Sequence, residues 1–196
     1  MPLLPFAVDY NAIRRALVAA VAQGTGLDGG AVIMLEPEAE TAPRPARPYM
    51  GIMVTTASVK EGFDAVIPQA DAPGLPTGNF TYTGPRSMMV SFESFGRSHE
   101  EAYGVMANFQ SALDQTPTLE VLGAANLAVY HIGAVADLSS LLNTAYEGRA
   151  QLDVTFGLTA TSTVNLGYIG TVPVSGEVTV DDQSQQQISV TVTREF

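Results

Sequence analysis

Apolar and polar residues alternate most regularly over Ala150–Ala160. There Leu152, Val154, Phe156 and Leu158 fall on one side of an extended chain, and Gln151, Asp153, Thr155 and Gly157 on the other. A period of two predicts a half-buried strand. Arg86–Phe95 has the same pattern, with Met88, Val90 and Phe92 opposed to Met89, Ser91 and Glu93. Two stretches change to the helical period. Tyr10–Gln23 puts Tyr10, Ile13, Leu17, Ala20 and Val21 on one stripe behind a capping Asp9, and Gly24 and Gly26 supply the stop. Ser98–Gln115 opens on the S-x-x-E pattern of Ser98 and Glu101 and carries Ala102, Val105, Met106, Phe109 and Leu113 as its apolar stripe.

Shorter apolar runs predict strands at Ala31–Leu35, Met50–Thr56, Leu127–Ile132 and Tyr168–Val180, with a helical turn near Thr118–Leu122. Pro173 suggests that its strand is an edge or carries a bulge. Beyond the polar run at 181–187, Ile188–Thr193 is a last β-like stretch, either an extra edge strand or a loose end. Two segments break the pattern. Residues 37–49 hold four prolines (Pro37, Pro43, Pro45, Pro48), which predicts a stiff arm rather than a regular element. Residues 57–79, with Pro68, Pro73 and Pro76, show no periodicity and are expected to form an irregular insertion. The order of elements predicts an α+β fold: a mixed, largely antiparallel sheet with two main helices packed on one face. Residues 1–180 form its domain, and 181–196 an appended tail or strand.

Composition narrows the chemistry. The chain has 20 acidic and nine basic residues, a formal charge of −11, and a single lysine, Lys60. Neutralising DNA phosphates takes many cations, so tight nucleic-acid binding is not expected. The acidic surplus serves either solubility or a surface that repels passing DNA. With no cysteine there are no disulfides, thiolate metal sites or thiol catalysis, which fits cytoplasmic synthesis. No apolar run approaches the length of a membrane span, and the opening MPLLPFAVDY lacks the basic leader of a signal peptide.

Catalytic patterns are missing. His99 falls in the first turn of a capped helix and His131 in a strand, and neither has a nucleophile and an orienting acid at motif spacing. No phosphate loop, dinucleotide fingerprint, nucleophile elbow or zinc-protease helix is present, and the pairs Glu100-Glu101 and Asp181-Asp182 lack the spacing of a calcium loop. The chain is therefore expected to be no enzyme, with no metal and no cofactor.

The run GAANLAVYHIGAVADLSSLL, then YEGRAQLDVTF, then GYIGTVPVSGEV resembles the C-terminal half of the phage neck terminator, or tail terminator, family of long-tailed bacteriophages. RPARPYMGIMV and the MMVSFESFG strand with its Ser-capped helix resemble earlier parts of that family. The resemblance implies a virion structural protein at the tail neck, assembled in the host cytoplasm. It further implies a homo-hexameric ring that ends tail-tube growth, meets the tail tube protein, the head-completion proteins and, in contractile phages, the last sheath layer. Such a ring leaves a channel for DNA. Alternatives are another ring of the same machine (a head-completion stopper or a tube protein) and, from a different class, a small ligand-binding domain. In a ring, Arg44, Arg47 and Tyr49 of the Pro-rich arm are candidates for subunit contacts, the alternative being that the arm is an ordinary solvated loop. Arg149 is either half of such a contact or an intrachain salt bridge. Tyr146 and Tyr168 are interface anchors or core residues.

Overall fold

Asp9 accepts a hydrogen bond from the Ala12 amide and opens helix α1 (Tyr10–Thr25), which ends on Gly26. Ile13, Ala16, Leu17, Ala20 and Val21 form its buried stripe, while Tyr10 stays exposed at its start. A 3₁₀ turn at Gly29–Ala31 leads into β1 (Val32–Met34). The chain continues through β2 (Tyr49–Lys60), β3 (Ala65–Ala72), β4 (Leu75–Gly96), α2 (His99–Ala112), α3 (Thr116–Gly123) and β5 (Leu127–Ile132). Two short strands, β6 (Ala136–Asp137) and β7 (Ser140–Leu142), precede β8 (Ala145–Asn165), β9 (Thr171–Val180) and β10 (Ser184–Thr193). This computed structural model describes residues 8–35, 44–72, 75–142, 145–165, 171–180 and 184–193.

Internal contacts divide the described chain into two compact units. The larger takes 8–64 and 84–160, and the smaller 65–83 and 161–193. In the larger unit the strand order is β1-β2-β4-β8-β5, with β6 and β7 also pairing β8. β1 runs parallel to β2, whereas β2–β4, β5–β8, β6–β8 and β7–β8 are antiparallel. The sheet is thus mixed and mostly antiparallel, as alternation and element order predict. Its covered face carries Met50, Ile52, Met88, Val90, Phe92, Leu152, Val154 and Phe156, all fully buried. They pack with Leu17 and Val21 of α1, Met106 and Phe109 of α2, Leu113, and Leu122 of α3. Phe92 lies at the centre, 4.7 Å from the Phe109 ring and 6.3 Å from that of Phe156.

α2 begins in direct contact with strand backbone. The Ser98 hydroxyl accepts from the Glu101 amide at 3.2 Å, and the Glu101 carboxylate accepts from the Arg97 amide at 2.6 Å, one residue before the cap. A Cβ at position 148 would collide with the Ser98 carbonyl, so Gly148 is what allows the helix to start so close to β8.

Two expectations are revised. The helices number three among the described residues, because the turn expected near Thr118 extends to eight residues. Pro117 sits in its first turn, where a missing N–H costs nothing. The 57–79 segment is largely strand: β2 reaches Lys60, and in the smaller unit β3 pairs antiparallel with residues 75–83 of β4, from Ala65↔Thr83 to Ala72↔Leu75. Val66 and Ile67 are neighbours on opposite faces and each is 51% exposed, so at these positions β3 is wet on both faces and shows no period of two. Ladder hydrogen bonds hold this hairpin, with register shifts on the C-terminal side of Pro68. β9 and β10 pair antiparallel from Thr171↔Thr193 to Val180↔Ser184, which makes most of 181–196 a strand.

Phe92→Ala removes the ring at the centre of the core. It is expected to cost about 3–5 kcal/mol in urea unfolding of the full chain, because surrounding strands and helices can only partly collapse into the space.

Candidate subunit-contact site

Tyr49 and Phe95 are cross-strand partners at one end of β2 and β4. Alternation places them on the sheet face opposite Met50 and Phe92. Their rings stack with centroids 4.6 Å apart and planes 11° from parallel. The Arg149 guanidinium lies 5.4 Å from the Phe95 centroid, and its Nη2 donates to Glu93 Oε2 at 2.6 Å. Glu93 is 6% exposed, so this ion pair is shielded on the carboxylate side and wet on the arginine side.

The described end of the Pro-rich arm, 44–49, folds onto the same corner, and its residues 37–43 lie outside the described residues. Arg47 forms an ion pair with Glu147, and Arg97 Nη2 donates to the Arg47 carbonyl at 3.1 Å. Arg44 lines the same cavity as Tyr49 and lies close enough to act on its phenol. Burial pushes the Tyr49 phenol above its ordinary 10.0, against the pull of Arg44, so it stays protonated at neutral pH. The Leu35 side chain occupies the space that a Cβ at Gly51 would need. Together Leu35, Arg44, Tyr49, Glu93, Phe95, Glu147 and Arg149 line a cavity of about 400 Å³.

Four of the six residues expected at subunit contacts, Arg44, Arg47, Tyr49 and Arg149, therefore gather at one corner of the larger unit. Arg149 has an intrachain partner, Glu93. Tyr146 lies in β8 opposite Leu141, with its side chain outside the described residues, and Tyr168 lies outside them altogether. Sequence reasoning missed Glu93, Phe95, Arg97 and Glu147 as members of the cluster. Alternation does place Glu93 and Phe95 on one face of β4, but nothing local pairs them with residues some 50 positions later.

Other ionic groups lie elsewhere in the larger unit. Asp64 accepts from Arg86 and from Lys60, each at 2.8 Å, and Arg86 is 5% exposed. The hydrogen bond from Arg86, followed by that from Lys60, holds the Asp64 carboxyl below its ordinary value. His99 Nδ1 sits 3.2 Å from Asp137, whose carboxyl is lowered first by hydrogen bonds from Ser139 and then by His99. His131 is exposed on β5. Among the described residues no cluster of three or more His, Asp or Glu side chains could hold a metal ion, and no helix is long and apolar enough to cross a membrane.

The model of a protein family described as phage neck terminator protein matches residues 11–192, which takes in the 57–79 hairpin and most of the final strand. No curated protein matches the sequence.

Two outcomes test the ionic groups. Arg149→Ala leaves a shielded Glu93 without its cation and should cost about 1–2 kcal/mol, between exposed and buried pairs. Adding Glu93→Gln should recover part of that loss in a double-mutant cycle. Because the Asp64 carboxyl is lowered on folding, its contribution is present above the ordinary 3.8 and is lost as pH falls through the lower folded value. The stability gap between the wild-type chain and Asp64→Asn should thus be constant near neutrality and close below about pH 3.8 in acid unfolding.

Proposed function

The chain belongs to the phage neck terminator family, and from that premise we propose that it closes a six-fold ring on top of the tail tube. It is a structural protein of the phage neck, where it meets other tail and neck proteins. As a terminator, the ring ends tube growth, offers its far side to head-completion proteins and, where the tail contracts, touches the last sheath layer. It leaves a channel through which DNA passes.

The family match over 182 positions, 11 to 192, carries this reading, and the physics of the chain supports it. A closed ring of identical subunits needs two different, complementary surfaces on each subunit. The corner of Arg44, Arg47, Tyr49 and Arg149 is one such surface on this reading, with Tyr146 and Tyr168 as further interface anchors. A charge of −11 with a single lysine suits a channel wall that repels phosphate and lets DNA slide.

Negative-stain electron microscopy of the purified chain, alone and mixed with tail tubes, tests the reading. Six-fold rings, or caps confined to tube ends, are the expected result. Filaments would instead indicate a tube protein, and a 20.6 kDa monomer that ignores tubes would overturn the assignment.

A further inference from the structure

Four of the nine basic residues of this acidic chain, Arg44, Arg47, Arg97 and Arg149, meet at the corner described above. Their roles differ. Arg47 is spent on Glu147, and Arg97 on the backbone of Arg47. Arg149 gives Nη2 to Glu93, while its Nε, closed off from solvent, has no acceptor among the described residues. Both carboxylates lining the cavity are therefore already matched by a cation. Arg44 is the surplus charge within the lining: it is exposed, it lies beside Tyr49, and no carboxylate pairs with it among the described residues, while Arg97, bound to a neutral carbonyl, adds a second unmatched cation outside the lining.

We infer that this cavity is a socket for one carboxylate side chain of the adjacent copy of the chain, with Arg44 as its principal ligand and the Tyr49–Phe95 stack as its floor. The inference rests on the ring reading and names the contact that closes it. The occupant follows from charge. Two matched pairs plus Arg44 leave the socket one positive charge, whereas the same unit exposes Glu100, Asp114, Glu120 and Asp153 elsewhere on its surface. A second copy thus brings an excess of the sign the socket lacks, and a socket on one surface with an acidic plug on another is a head-to-tail contact. Leu35, Tyr49 and Phe95 give the half-open cavity an apolar side, which screens an incoming carboxylate from part of the solvent and favours its pairing with a guanidinium relative to a flat surface. Arg44 suits the task because its planar fork offers a carboxylate paired N–H groups.

The test compares the wild-type chain with Arg44→Glu and Arg44→Lys by native mass spectrometry and sedimentation, with and without tail tubes, alongside thermal unfolding of the separated subunits. Arg44→Glu should weaken ring assembly at least about tenfold, Arg44→Lys should fall between, and the subunit unfolding midpoint should not move. Rings of Arg44→Glu as stable as the wild type would overturn the socket and leave the terminator reading standing. A subunit midpoint that drops in step with assembly would also overturn it, placing Arg44 in service of its own chain, for instance against an acidic residue of the 36–43 segment. A wild-type chain that makes no ring even on tubes would remove the terminator reading, and the socket with it.

Discussion

Burying Phe92 against Phe109 and Phe156 sets the phase of the central strand, and the opposite face of the sheet follows from that choice. With Met88, Val90 and Phe92 facing the helices, pleating leaves Met89, Ser91, Glu93 and Phe95 no alternative but the other side. The same holds on β8, where Leu152, Val154 and Phe156 in the core put Arg149, Gln151 and Asp153 opposite. Arg149 reaches Glu93 and Gln151 reaches Ser91, at 2.6 and 2.9 Å, because two strands in the same phase bring these rows together. A slip of one residue would drive Glu93 into an apolar core and lift Phe92 into water. The ionic corner is therefore a consequence of the core's register, and it holds its geometry without contributing much net stability of its own.

That corner stands out against the charge of the chain. An acidic surplus keeps subunits apart in solution, and packing identical negative copies side by side costs electrostatic work. Local inversion of sign at the contact is one way to offset it, and the gathering of four guanidinium groups around two glutamates provides such an inversion. Arginine rather than lysine at all four places fits the geometry: the guanidinium of Arg149 lies over an aromatic ring and also donates to a carboxylate.

What could be read from the sequence was whatever one face of burial writes into it. The strands at 86–95 and 150–160 and the capped helices α1 and α2 carry apolar residues at the period of their own geometry, and they formed where expected. β3 escaped notice because neither of its faces is dry where Val66 and Ile67 lie, so its ladder left no mark in the order of side chains. α3, expected only as a turn near Thr118–Leu122, is longer because Pro117 occupies its first turn, where the missing N–H is tolerated. The corner was half legible. Its arginines were conspicuous in a chain so poor in cations, but Arg47 and Glu147 are 100 positions apart and Arg149 and Glu93 are 56 apart, separations that only the folded sheet closes.

Range decides how such a corner works among like-charged subunits. At physiological salt the screening length is about 8 Å, so acidic patches on distant parts of neighbouring subunits are largely hidden from one another. Charges within a shielded contact are screened much less. A subunit can therefore keep a large net charge of one sign and still meet like-charged neighbours through a small region of the other sign. The requirement is geometric: the inverted region must be enclosed enough to escape screening and must present a cation not already consumed within its own chain. Tyr49, Phe95 and Leu35 give the corner a partly sheltered side, and Arg44 is a cation left over within it. On the proposed ring reading, assembly then depends on the placement of a few arginines and little on the total charge.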